Sequence, residues 1–263
     1  MTDAARLLNA AAATLAAGVL TDGTAEHYRA AFHNRAMFVA TAVSAGATAV
    51  ATSALATRQP RPAMARTMFA AAMLTGMVGF GFHVANVLRR TGGLSSDNLF
   101  RGAPIGAPMA LALAGVFGGA AAQSSSSVRA RHGVLLGNIS AIGLAGTSME
   151  AGILHFRGAF HNPLMYAPVL IPPAAAVALA TATLTQSGRV HRAAGLLLRS
   201  TAWLGVAGTA LHGWGVHRRM GGWRNWSQNV LAGPPLPAPP AFTGMALAGL
   251  AALQLLRPPA LYE

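Results

Sequence analysis

The chain of 263 residues contains no cysteine, and all 19 of its basic residues are arginine, so lysine is absent as well. Without thiols the protein can form no disulfide, no thiolate metal site and no iron–sulfur cluster. Without lysine it can form no Schiff base. Imidazole and carboxylate groups are therefore the strong ligands that remain.

Charged residues are also scarce. They make up 10% of the chain, whereas 53% is hydrophobic and the mean hydropathy is +0.45. Soluble domains carry roughly 25% charged residues, so this composition favours a lipid bilayer as the solvent. The formal net charge of +13 comes from arginines dispersed between apolar runs. Because a nucleic-acid surface would cluster them with aromatics, we expect acidic lipid headgroups as partners and no nucleic acid.

Apolar stretches long enough to cross about 30 Å of hydrocarbon recur along the chain. We therefore predict an all-α, polytopic membrane protein with eight transmembrane helices. The predicted spans lie near residues 5–24, 37–57, 67–88, 105–123, 133–154, 164–185, 199–217 and 239–256.

A polar octapeptide occurs twice, as HYRAAFHN at 27–34 and as HFRGAFHN at 155–162. Self-similarity at a fixed offset is the sequence signature of a repeat. We interpret the chain as two homologous four-helix halves, 1–128 and 129–263. Since each half has an even number of helices, the halves are parallel repeats about an axis along the membrane normal. Further matching segments are HVANVLRRTGG (83–93) with HGWGVHRRMGG (212–222), and DNLFRGAP (97–104) with QNVLAGPP (228–235).

The repeat retains ionisable residues at the helix ends of one membrane face, three histidines and one carboxylate in each half. These are Asp22, His27, His33 and His83 in the first half and Glu150, His155, His161 and His212 in the second. Three neutral imidazoles and a carboxylate can bind zinc, iron, manganese or copper. Residues five apart lie about 140° apart around a helix, so joint ligation by Asp22 and His27 requires unwinding near Gly23.

A b-type haem is the alternative cofactor, with one histidine from each of two helices as axial ligands. The simplest predicted pairs are His33 with His83 and His161 with His212. We expect His33 and His161 at helix N-termini, where the positive dipole end favours the neutral ring. Arginines of the same face would then bind the haem propionates; these are Arg29, Arg89, Arg90, Arg157, Arg218 and Arg219.

Two halves of four helices with paired histidines are similar to the layout of haem A synthase. That family places its ligands on the second and fourth helices of each half, whereas here they would lie on the second and third. We therefore assign the chain to no family.

A symmetric hydrogen-bonded network without a cofactor is the third interpretation of the repeated residues. Asn34 and Asn162 fit helix N-caps, which need no further function. His132, His191 and His217 have no repeated histidine counterpart, so we expect them at the surface.

The predicted function is a membrane redox subunit that exchanges electrons between a quinone and an extramembrane redox protein. A transporter or channel with a polar path between the halves is the second hypothesis, and a membrane scaffold is the third. The face with both termini carries ten arginines and the other nine. This difference is too small for the positive-inside rule to decide the orientation. The distribution of acids favours cytoplasmic termini by a narrow margin, and we expect the cytoplasmic membrane of a bacterium.

Overall fold

The computed structural model describes residues 2–57, 62–102, 104–123, 129–185 and 187–256, and within these ranges it contains helices and no strand. Eight of the helices are long: α1 (Asp3–Arg29), α2 (Met37–Thr57), α3 (Pro62–Leu88), α5 (Gly106–Ala121), α6 (Arg129–Arg157), α7 (Ala167–Leu184), α8 (Gly188–His217) and α10 (Pro240–Leu256). Two short helices, α4 (Ser96–Arg101) and α9 (Trp226–Ala232), follow α3 and α8. Single 3-10 turns at Pro163–Tyr166 and Gly222–Asn225 precede α7 and α9.

Five helical segments are long and apolar enough to cross a membrane, namely α1, α2, most of α3, the continuous segment Pro163–Leu184, and α8. The apolar helices α5 and α10 are shorter, with 16 and 17 residues. The helices are therefore consistent with an integral membrane protein. The number of eight spans and the division into two homologous halves remain predictions.

The helix bounds agree with the predicted spans to different degrees. The bounds of α2 are the predicted ones, whereas α1 continues past the predicted end at 24 as far as Arg29, and α8 begins at Gly188 rather than 199. A hydropathy window ends where charged residues such as Glu26 and Arg192 occur. The helix itself continues as long as its backbone hydrogen bonds do.

The long helices pack into two rings of four. In the first ring α1 and α3 each pack against both α2 and α5, so α1 and α3 lie diagonally opposite. In the second ring α6 and α8 each pack against both α7 and α10, so α6 and α8 are the diagonal pair. The rings meet mainly where α1 packs against α10, while α5 and α6 make a smaller contact.

Small side chains line these interfaces, and the fully buried ones include Ala11, Ala47, Ala114, Ala175 and Ala246. Small residues let helix backbones approach closely, which is how helices associate in membranes. Glycine provides the closest approaches. A Cβ atom added to Gly76 would lie 2.6 Å from the carbonyl oxygen of Pro108, and one added to Gly205 would lie 2.7 Å from that of Pro239. The α3–α5 and α8–α10 contacts therefore both depend on glycine.

Candidate functional site

The repeated octapeptide forms the same tight turn after α1 and after α6. In the first copy Phe32 donates its N–H to the carbonyl of His27 at 2.9 Å, and Ala31 donates to Tyr28 at 2.8 Å. These are the two bonds of a Schellman C-cap, with Ala31 as the left-handed residue at φ 54°. Phe160 and Ala159 make the equivalent bonds, at 3.1 and 2.8 Å, to the carbonyls of His155 and Phe156.

The phenylalanine of the turn packs against the histidine at the helix end. The Phe32 ring stacks on Phe38 with centroids 4.3 Å apart and meets the His27 ring edge-on at 6.0 Å. In the second copy Phe160 stacks on Tyr166 at 4.5 Å and meets His155 edge-on at 6.2 Å. The octapeptide therefore holds one imidazole in a fixed position in each of the two four-helix rings.

The Nδ1 atom of each of these two histidines lies within hydrogen-bond distance of a methionine carbonyl oxygen. Met37 begins α2, and Met165 lies just before α7. The Nδ1 to oxygen distance is 3.1 Å from His27 to Met37 and 2.8 Å from His155 to Met165. Since a carbonyl oxygen only accepts, the imidazole donates its Nδ1–H. In a neutral imidazole, Nε2 then carries the lone pair.

A second histidine in each ring is held in the same way by a proline carbonyl. The Nδ1 to oxygen distance is 2.6 Å from His83 to Pro104 and 2.7 Å from His212 to Pro235. All four imidazoles thus share one tautomer. A metal-ligating histidine typically donates its other ring N–H to a carbonyl or carboxylate, so this tautomer is the ligating one.

The structure groups these histidines into two pairs, and the members of each pair lie on diagonally opposite helices of one four-helix ring. His27 on α1 lies close enough to His83 on α3 for their charges to interact. His155 on α6 and His212 on α8 interact in the same way. Each ring of helices therefore carries one pair of backbone-anchored imidazoles at the same end.

His33 and His161 do not occupy the predicted positions. Because α2 begins only at Met37, His33 lies exposed in the turn, with Nδ1 3.1 Å from the carbonyl of Ala30. His161 is exposed in the equivalent turn, 2.9 Å from the carbonyl of Gly158. The prediction that both begin a helix is wrong. His27 lies within electrostatic range of both His83 and His33.

The two carboxylates lie at the boundary of the two rings, where Glu150 and Asp22 interact electrostatically. Glu150 accepts the backbone N–H of Gly106, the first residue of α5. The sequence counterpart of Gly106 is Pro237, which has no N–H to offer Asp22. At this position Glu150 therefore has a backbone N–H partner, whereas Pro237 offers Asp22 none.

The predicted sets of three histidines and a carboxylate are not assembled. Within the described ranges no group of three or more histidine or acidic side chains is placed to hold a metal ion. The unwinding near Gly23 that joint ligation would require does not occur, because α1 is continuous from Asp3 to Arg29. Asp22 and His27 consequently point to different sides of one helix.

The six arginines of this face are exposed, as expected of residues at a membrane surface; they are Arg29, Arg89, Arg90, Arg157, Arg218 and Arg219. Arg29 is paired with Glu26 at 2.7 Å. Arg29 and Arg219, one from each ring, line a crevice of about 570 Å³ together with Tyr28 and Gln228. Two of the candidate anion-binding arginines thus share one site.

Sequence reasoning missed two buried asparagines that shape the loops after α3 and α8. The side-chain amide of Asn98 donates to the carbonyls of Thr91 and Gly93, at 3.0 and 2.8 Å. Asn229 makes the same kind of pair, donating to Met220 and to Gly222 at 3.2 and 2.8 Å. Both lie in the repeated segments DNLFRGAP and QNVLAGPP, and this repetition is the sequence signal that could have identified them.

The predicted N-cap is confirmed for Asn162, which caps the 3-10 turn Pro163–Tyr166, whereas Asn34 lies in the turn that precedes α2. Asn34 accepts the backbone N–H of Ala36 at 2.9 Å, and Asn162 accepts that of Leu164 at 3.0 Å. These two residues have a structural function that needs no ligand.

No protein-family model, curated protein or solved structure matches this chain. The function of the histidine pairs therefore has to be argued from their geometry.

Proposed function

We propose that this chain is an integral membrane electron carrier that binds a b-type haem at each of two histidine pairs, His27 with His83 and His155 with His212. The single observation that carries this proposal is that two imidazoles of the same tautomer lie within electrostatic range of each other in each ring of helices. Each donates Nδ1–H to a backbone carbonyl and keeps the Nε2 lone pair for a ligand.

The membrane assignment is supported by the outer faces of the rings. Large apolar side chains point away from the interior, among them Leu74, Val78, Val177 and Trp203, which are 60%, 59%, 68% and 73% exposed. The buried interfaces are filled mostly by alanine. A protein with its bulky apolar residues outside and its small ones inside fits a lipid environment.

The donor set fits haem better than a non-haem ion. A b-type haem needs two axial imidazoles from two helices, and each ring supplies two on diagonally opposite helices. Bound haem would supply a one-electron redox centre. Iron, zinc, manganese or copper without a porphyrin needs further protein ligands, and within the described ranges no third one lies in reach.

The residues of the chain have separable functions in this proposal. The Schellman turn and the carbonyls of Met37 and Met165 orient His27 and His155, while the proline carbonyls orient His83 and His212. The exposed arginines of the same face would pair with the propionates. Two equivalent centres in two homologous halves would carry electrons between a quinone and an extramembrane redox protein.

The test is an absorption spectrum combined with metal analysis of the purified full-length protein, expressed with haem supply. We expect a Soret band and two haems per chain, with His83→Ala and His212→Ala each retaining about half. His33→Ala and His161→Ala are the matched controls, since these exposed histidines should be dispensable. Stoichiometric metal without a Soret band, or no cofactor at all, would overturn the haem assignment.

A proton- or cation-coupled transporter is the second candidate, favoured by the carboxyl pair Asp22 and Glu150 at the boundary of the rings. Such a pair would lie on a polar path between the halves. Flux in proteoliposomes that is abolished by both Asp22→Asn and Glu150→Gln, in protein without haem, would support this candidate over the first.

A further inference from the structure

An aromatic crevice opens on the outer surface of α8, close to the second histidine pair. It has a volume of about 420 Å³ and is lined by Ala210, Gly213, Trp214, His217 and Trp223. The centroid of the His217 ring lies 5.4 Å from that of Trp214 and 6.4 Å from that of Trp223. The imidazole is therefore flanked by two indole rings.

The crevice belongs to one half of the repeat only. The first-half counterparts of Trp214, His217 and Trp223 are Ala85, Leu88 and Leu94. All four tryptophans of the chain lie in the second half. Two of them gather with His217 around one cavity, which favours a ligand specific to that half.

His217 also differs from the other histidines of this face in its hydrogen bonding. The six repeated histidines, His27, His33, His83, His155, His161 and His212, all have Nδ1 within hydrogen-bond distance of a backbone carbonyl. Neither ring nitrogen of His217 makes a hydrogen bond within the part of the chain that the structure describes. Its imidazole is thus available to an incoming group.

We propose that this crevice binds the head group of a membrane quinone, with the ring against Trp214 and Trp223 and a carbonyl oxygen hydrogen-bonded to His217. Aromatic walls favour stacking with a planar ring. A volume in the range of small-molecule sites accommodates such a head group. The two tryptophans are 59% and 50% exposed, so the ligand can enter sideways from the lipid.

The position of the crevice suits the proposed redox function, on which the choice of a quinone rests. His217 follows His212 by five residues on the same helix, which separates the two by about 7.5 Å along the axis and by about 140° around it. A quinone in the crevice would therefore lie on the outer side of the helix that carries His212.

Binding can be tested in nanodiscs with menadione, a soluble naphthoquinone that quenches tryptophan fluorescence. We expect saturable quenching in the wild type. In His217→Leu, which installs the first-half residue, loss of the hydrogen bond should weaken affinity roughly threefold to tenfold. Ala210→Leu fills the floor of the crevice, keeps every tryptophan, and should weaken binding at least as much.

The chain provides matched controls at the counterpart positions, Leu88→His and Gly81→Leu, which should leave the quenching unchanged. Non-saturable quenching, or equal affinity in the wild type and Ala210→Leu, would overturn the proposal and leave the tryptophans as interface anchors. Oxidised menadione can bind whether or not haem is present. A failure of the haem assignment is therefore distinguishable from a failure of the quinone site.

Discussion

Replacing Ala31 by glycine should stabilise the protein. Ala31 is held at φ 54° by the Schellman turn, a left-handed conformation that costs an L-residue roughly 1–2 kcal/mol. Glycine avoids that cost but loses about 0.4–1 kcal/mol through the greater freedom of the unfolded chain. The balance is a net stabilisation of roughly 0.5–1 kcal/mol, which corresponds to a rise in Tm of about 1–4 °C for a chain of this size.

The equivalent change, Ala159→Gly at φ 53°, should have the same effect, and a sum of the two effects in the double variant would show that the turns act independently. Intrinsic tryptophan fluorescence during heating in detergent gives the Tm. Ala30→Gly is the matched control, since Ala30 has φ −84° and its counterpart is already Gly158. A lower Tm in Ala31→Gly, or an equal rise in the control, would refute the assignment of strain to this turn.

Four further substitutions test the packing and the polar contacts. Gly76→Ala or Gly205→Ala should lower thermal stability by about 1–3 kcal/mol, because the new Cβ would force α3 away from α5 or α8 away from α10; wild-type stability in both would contradict the close approach. Asn98→Ala should cost about 1–3 kcal/mol by leaving two carbonyls without their donor, and increased proteolysis between α3 and α5 would report it. Glu150→Gln should weaken the bond to the N–H of Gly106 and lower Tm by a few degrees, whereas no change would show that this contact contributes little.

The order and extent of the helices could be predicted largely from apolar run length. The bounds of α2 came out as predicted because both of its ends coincide with the ends of an apolar run. The ends of α1 and α8 could not be placed this way, since both helices continue through charged residues such as Glu26 and Arg192.

The candidate ligands could be chosen from the repeat, but their pairing could not. The direction of the chain after α1 depends on two consecutive left-handed residues, Ala31 and Phe32. Neither is glycine, so the sequence contains no conventional signal for that turn. As a result His33, which is predicted to begin a helix, lies exposed in the turn, and His27 at the end of α1 interacts electrostatically with His83.

The crevice around His217 was beyond sequence reasoning for a different reason. His217 lacks a histidine counterpart in the first half, and a search guided by repetition treats such a residue as surface. The role proposed for it follows only from the positions of Trp214 and Trp223 on either side of the imidazole.

The central claim is that two neutral imidazoles ligate one haem in each ring, and electron paramagnetic resonance of the oxidised protein tests it most directly. We predict low-spin ferric signals from two centres, with conversion of one centre to high spin or its loss in His27→Ala and of the other in His155→Ala. High-spin iron in the wild type, or low-spin signals that survive both substitutions, would contradict the account.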